Sequence, residues 1–218
     1  MQPGGDGTFL SAGTDGVINV RSEDDNRQFA IRAHSGPILQ AGYSASGKAV
    51  YTAGSDGYVK IWEAAKLQQQ RPKASLAGHF KSVLAADMSR DGRLLATGGG
   101  DKALDLWDVA SGRLIGRMQG HAGDIVAVAF SPDGKFIFSA GEDKAVRIWS
   151  VTNREEVATL FFQKNGENYA GVTSDNQTFG AQNSDLISIV VDGTKISSSE
   201  AGRLVSYLGP GISISEQQ

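Results

Sequence analysis

Three histidines and three tryptophans recur in this chain with aspartates set between them at fixed intervals. Successive histidines, His34, His79 and His121, lie 45 and 42 residues apart, and Trp62, Trp107 and Trp149 keep the same two intervals. Asp56, Asp101 and Asp143 each follow a histidine by 22 residues and precede a tryptophan by six. Four residues before each aspartate stands a hydroxyl: Thr52, Thr97 and Ser139. Hydroxyl, imidazole and carboxylate are the parts of a nucleophilic triad, and histidine with aspartate can hold a metal. Neither chemistry fits the pattern. A catalytic site is seldom copied into every repeat, and a triad also needs nucleophile geometry and an oxyanion hole. Metal ligands must converge on one point, whereas these histidines belong to separate repeats. The expectation is therefore no catalytic residue, no metal site, no cofactor and no enzyme.

The elements that position these residues are legible around them. Four residues after each histidine comes a branched apolar residue, Ile38, Val83 or Ile125, opening a short strand that ends at Tyr43-Ser44, Met88-Ser89 or Phe130-Ser131. A turn follows at Ser46-Gly47, Asp91-Gly92 or Asp133-Gly134. Asp-Gly between alternating apolar runs is a strong hairpin signal, because the turn needs positive φ. A second strand leads to the aspartate, a third ends at the tryptophan, and a fourth carries Ile31, Leu76, Met118 or Leu160 three residues before the next histidine position. Four short strands per period of about 42 residues, with 28 glycines spread along the chain, predict an all-β fold made by repetition.

Gly78-His79, Asp101, Trp107-Asp108 and then Gly120-His121, Asp143, Trp149 resemble the WD-repeat β-propeller family; Ala33-His34, Asp56, Trp62-Glu63 is a slightly degenerate copy. The resemblance implies four-stranded antiparallel blades around an axis, and it places the recurring polar residues in one hydrogen-bonded cluster per blade. These clusters are His34, Thr52, Asp56, Trp62; His79, Thr97, Asp101, Trp107; and His121, Ser139, Asp143, Trp149. Imidazole and indole N–H groups can donate and a buried carboxylate can accept, so a satisfied cluster ties one blade's turns together.

The flanks keep the frame in weaker form. Ala12-Gly13-Thr14-Asp15-Gly16 matches Ala53-Gly54-Ser55-Asp56-Gly57, with Arg21 where tryptophan would be. Asp185 lies 42 residues after Asp143, with Gln163 and Val191 at the histidine and tryptophan positions. A single domain over 1–218 is expected, in about five units: 6–33 completed by 211–216, then 34–78, 79–120, 121–162 and an eroded 163–208. The first unit lacks its own first strand; in a closed five-blade ring Gly211–Ser215 would lie beside Thr8–Ala12 and complete it. The favoured reading is a piece of a larger propeller cut within a repeat or completed by a partner, since the family most often forms seven blades, which needs roughly 290 residues. An open arc would expose sheet edges and self-associate.

With a net charge of −3 and no long basic block, nucleic-acid binding is not expected. No cysteine is present, which fits a reducing, cytoplasmic setting, and no apolar stretch reaches the roughly 20 residues that cross a membrane. The function expected from the resemblance is a non-catalytic scaffold or adaptor that binds a protein or peptide with the top face of the propeller. The alternatives are a regulatory or sensor module split from a larger protein, and a propeller enzyme. Candidate contact residues are those after each histidine and around each aspartate: Ser35, Ser55, Tyr58, Phe80, Lys81, Gly100, Asp124 and Glu142. Phe80, large and apolar in a polar loop, is expected to pack under the next blade, the alternative being that it anchors a partner. Lys66–Lys73 is read as an exposed loop, with a basic docking loop as its alternative.

Overall fold

The computed structural model describes residues 2–3, 7–22, 27–162, 168–173, 178–182, 189–191 and 194–196. It is built of antiparallel sheets whose strands follow one another in chain order. The first sheet holds β1 (Gln2–Pro3), β2 (Thr8–Ala12), β3 (Val17–Ser22) and β4 (Gln28–Arg32). The second holds β5 (Ile38–Tyr43), β6 (Ala49–Gly54), β7 (Tyr58–Glu63) and β8 (Ala74–Ala77). The third holds β9 (Val83–Met88), β10 (Leu94–Gly99), β11 (Ala103–Asp108) and β12 (Arg113–Gln119). The fourth begins with β13 (Ile125–Phe130), β14 (Phe136–Gly141), β15 (Ala145–Ser150) and β16 (Glu156–Phe162).

Two boundaries differ from the sequence expectation. The fourth sheet does not stop at β16: β17 (Asn168–Thr173) and β18 (Thr178–Gln182) continue it, with Ala158 opposite Thr173 and Asn168 opposite Gln182. These strands were expected to start a separate unit at 163. That unit has no imidazole–indole pair to set a new blade apart, and the free edge of β16 offers unpaired backbone groups instead. β19 (Ile189–Val191) and β20 (Thr194–Ile196) form a separate hairpin. In the first sheet, Gln2 and Pro3 pair with Leu10 and Phe9, so part of the strand expected to be missing is supplied from the chain's own start. The expected completing segment, 211–216, lies outside the described residues.

The hairpins joining the first two strands of the third and fourth blades are pinned alike. Gly92 and Gly134 sit at φ +74° and +70°. Asp133 accepts from the Ser131 hydroxyl (2.6 Å) and the Lys135 N–H (3.1 Å), and Asp91 does the same with Ser89 and Arg93. The long connection after β7 carries a short 3-10 turn, Ala64–Gln69, which buries Leu67 beneath an otherwise exposed loop.

Each of the first three blades presents an aliphatic face to the tryptophan face of the next. Leu10, Ile18, Val20 and Ile31 pack on Val50 and Trp62. Ala53, Val59, Ile61 and Leu76 meet Leu95 and Trp107. Ala96, Leu104, Leu106 and Met118 meet Ile137 and Trp149. A buried indole removes about 150–250 Å² from water, worth about 4–6 kcal/mol as an upper bound. Strands sandwiched this way are buried on both sides, and in β6 and β10 every residue after the first is buried. The first sheet differs. β3 alternates buried and exposed, and its outward side carries Asn19 and Arg21, exposed alongside Ser11 and Arg32.

Candidate functional site

The loop entering each blade's first strand and the turn between its second and third strands meet at one end of the blade, here called the top. The recurring polar residues converge beneath it. In the third blade His79 Nδ1 donates to Asp101 Oδ1 (2.7 Å), Thr97 Oγ1 bonds His79 Nε2 (2.9 Å), and Trp107 Nε1 donates to Thr97 Oγ1 (2.9 Å). The second blade repeats this with His34–Asp56 at 2.9 Å, His34–Thr52 at 2.8 Å and Trp62–Thr52 at 3.1 Å. In the fourth, His121 reaches both Asp143 oxygens at 3.0 Å and Ser139 at 2.8 Å, and Trp149 reaches Ser139 at 2.8 Å.

Donor chemistry fixes the direction of this chain. Indole N–H can only donate and an ionised carboxylate can only accept. With the imidazole proton on Nδ1, facing the aspartate, the hydroxyl accepts from tryptophan and donates to Nε2. Thr52, Thr97 and Ser139 are fully buried, and each hydroxyl already has both an indole and an imidazole partner. A substrate carbonyl has no route to such a hydroxyl, so the triad-like composition does not make a nucleophile.

The aspartate is the link between loops. Asp143 Oδ2 accepts from the Ala122 N–H (2.8 Å) in the entering loop, while Oδ1 accepts from Ala145 (3.2 Å) in its own turn. Asp56 ties Ser35 (3.1 Å) to Tyr58 (3.2 Å) in the same way. Sequence reasoning missed one partner of this motif, the glycine two residues before each aspartate. A Cβ on Gly54, Gly99 or Gly141 would stand 2.4, 2.6 or 2.5 Å from the histidine Nδ1 of its blade. The recurrence of glycine at that position, Gly13 included, was the available signal.

Burial pushes the His121 imidazole below its ordinary value, with the bond to Asp143 opposing. Burial alone would raise Asp143 and Asp56. The Ala122 N–H and His121 hold Asp143 below the usual carboxylate range, and His34 and the Ser35 N–H do so for Asp56.

The third blade adds an ion pair that no spacing pattern announced. Asp105, fully buried on β11, receives Arg117 of β12 through Nε (2.7 Å) and Nη2 (2.8 Å). Arg117 Nη2 also donates to the Gly78 carbonyl (2.6 Å) and lies 3.5 Å from Asp101 Oδ2. In the second blade the same strand position is Lys60, whose ammonium donates to the Ala33 carbonyl, and in the fourth it is Arg147, paired with Glu156. In the second and third blades a cation thus holds the carbonyl just before the histidine, from a different strand each time.

Over the top, Phe80 is 77% exposed and Tyr58 43%. Phe80 therefore does not pack under the next blade. Ser35, Lys81 and Glu142 are exposed, and Ser55 and Asp124 half-buried. Gly100 is buried, with the site of a Cβ 3.3 Å from Asp124 Oδ2 and 3.5 Å from Lys81 Cβ, so it supports the surface without forming it. The turn of the second blade touches the entering loop of the third, because Ser82 Oγ donates to the Ser55 carbonyl (3.3 Å). Among the described residues no helix is long and apolar enough to cross a membrane.

Three stretches, residues 26–63, 70–108 and 112–150, match the WD domain, G-beta repeat, and together cover just over half of the chain. Each begins around the outer strand of one blade and ends around the third strand of the next: β4–β7, β8–β11 and β12–β15. The sequence repeat thus straddles two blades, and the histidine lies in the connection that joins them. No curated protein matches the chain. On the repeat matches and the sheets that carry them, this chain belongs to the WD domain, G-beta repeat family.

Proposed function

We propose that the chain is a non-catalytic scaffold or adaptor that captures a protein or peptide partner on the top of its blades, with Phe80 as the apolar anchor. Repeats of this family generally mediate protein–protein interaction. The observation that carries the reading is the exposure of Phe80, 77%, in a loop whose backbone is held from below by the buried His79 cluster. A large ring presented on a rigid loop loses little entropy on binding, which is how a few aromatic residues come to dominate an interface. Tyr58 and Lys81 lie in the neighbouring turn and the same loop and would rim the contact, with Ser35, Ser55, Asp124 and Glu142 as polar surroundings. Binding with no step of catalysis agrees with the sealed hydroxyls. A cytoplasmic setting agrees with a chain of 218 residues without cysteine. The test is affinity capture with the wild-type chain and with Phe80→Ala as parallel baits, after matching their thermal unfolding. Selective loss of one or more partners with Phe80→Ala is expected; equal recovery of every partner would remove Phe80 from the interface.

A further inference from the structure

From the opposite end of the blades we infer a second binding surface, built for an acidic segment of a partner protein and independent of the top face. The underside is made of the hairpins after each first strand and the connections after each third strand. In the second and third blades these span 44–48, 63–73, 89–93 and 108–113. They carry seven Lys and Arg against three carboxylates, whereas the corresponding loops of the fourth blade, 131–135 and 150–155, balance two against two. The top loops lean the other way, with five carboxylates against three lysines over 55–57, 80–82, 100–102, 122–124 and 142–144. A chain of net charge −3 therefore keeps a localised positive field on one end of two adjacent blades.

The loops form one continuous ground. The Ala64 N–H donates to the Lys48 carbonyl (2.9 Å), joining the hairpin and connection of the second blade. The Val109 N–H donates to the Arg93 carbonyl (2.9 Å), joining those of the third. The two blades meet where the site of a Cβ on Gly112 lies 3.4 Å from Ala74 Cβ, which brings Arg113 beside the end of the 63–73 connection. The three carboxylates are engaged locally. Glu63 pairs with Lys66 at 2.6 Å, Asp91 accepts from Ser89 and Arg93 N–H, and Asp108 accepts from Ser111. Among the described residues, Lys48, Arg71, Arg90 and Arg113 have no ion-pair partner, and all four are exposed.

The chemistry of the surface selects among anions. The exposed large apolar side chains described on the chain are Leu39, Tyr58, Phe80, Leu114 and Ile115, so these loops present no aromatic ring on which a nucleic-acid base could stack. Carboxylates set between the cations would repel a uniform sheet of phosphates, whereas a peptide can place its own charges between them. Leu114 and Ile115, next to Arg113, offer aliphatic contact to an acidic segment that also carries apolar residues.

The test uses the full chain and a fluorescein-labelled twelve-residue peptide of alternating glutamate and leucine, read by polarisation. Saturable binding is expected, weakening by about tenfold or more in Arg90→Ala/Arg113→Ala and unchanged in Lys81→Ala/Lys102→Ala on the top. Affinity should also fall steeply as salt rises from about 50 to about 200 mM. Absence of binding, equal loss in both double variants, or tighter binding to phosphatidylserine vesicles or to a single-stranded RNA would overturn the inference. Matched thermal unfolding of the variants separates loss of binding from loss of fold. Because Phe80→Ala leaves the underside untouched, failure of the top-face reading leaves this result standing, and the converse holds.

Discussion

Replacing Thr97 by valine isolates the polar wire of the third blade without changing its shape. The γ-methyl group fills the space of the hydroxyl, so no cavity term enters. Two buried groups lose their partner: the Trp107 N–H, which donates at 2.9 Å, and the His79 Nε2, which accepts at 2.9 Å. Thr97 is fully buried and His79 nearly so, and water has no ready way to replace the hydroxyl. An unsatisfied buried donor or acceptor costs about 1–3 kcal/mol, and removing the hydroxyl returns part of its own desolvation cost, so a loss of about 2–4 kcal/mol is expected. For a domain of this size that lowers the unfolding midpoint by roughly 5–15 °C. Urea titration followed by tryptophan fluorescence reads the change, with an unaltered slope showing that the unfolded state is the same. Trp107→Phe provides the second arm. Once the indole donor is gone, Thr97→Val orphans only the imidazole, so the double variant should cost about 1 kcal/mol less than the sum of the singles. A loss under about 0.5 kcal/mol, or strict additivity, would show that the hydroxyl is not shared between ring and ring.

Further outcomes follow from the same geometry. Gly99→Ala should destabilise by about 1–3 kcal/mol, because its Cβ would stand 2.6 Å from His79 Nδ1 and 2.9 Å from Asp101 Oδ1; thermal unfolding of the variant checks this. Arg117→Ala should cost about 2–4 kcal/mol by leaving the buried Asp105 carboxylate unpaired, and Arg117→Met/Asp105→Leu should recover most of it; urea midpoints of the two variants decide the point. Acid should weaken the fold in two stages. The His121 imidazole is depressed below 6.5, so the unfolded chain takes up its proton first and stability falls as pH drops below about 6.5. Asp56, Asp91, Asp133 and Asp143 are held below 3.8 and add a second loss beneath that pH. Asp87 works in the opposite sense: burial raises it, with the Phe130 N–H as the first opposing contact, so the folded chain gains from protonating it. Urea midpoints across pH, with the first stage flattened in His121→Gln, would establish the assignment; a midpoint unchanged between about pH 7.5 and 5 would refute it.

The clusters could be found in the sequence because one physical requirement is met three times in the same frame. Imidazole, hydroxyl, carboxylate and indole must reach one another from the entering loop, the second strand, the turn after it and the third strand, so their separations cannot drift. The strand pattern was legible for the same reason, and the family matches fall on the blades that carry it. What escaped were features that differ between copies. Lys60, Asp105 and Arg147 share one strand position but carry opposite charges, and only cross-strand register shows that Asp105 faces Arg117 while Arg147 faces Thr159. Gly100 occupies a surface-loop position in the repeat, yet neighbouring loops cover it. The role of β17 and β18 could not be read from the alignment of Asp185 with Asp143, because a strand's place is decided by which edge is free, and edges do not show in a repeat pattern.

The outward side of the first sheet has a consequence for how molecules of this chain behave together. An array in which every module greets the following one with aliphatic side chains is a natural template for fibres, since a second molecule could add itself by the same rule and the contact would never close on itself. A newcomer arriving at this side finds guanidinium groups at Arg21 and Arg32 in place of the indole and its companions. Dehydrating them against hydrocarbon would cost several kcal/mol each, more than the aliphatic contact returns. Adding an aliphatic blade face to that side is therefore unfavourable, and the same rule that joins one blade to the next does not extend across it.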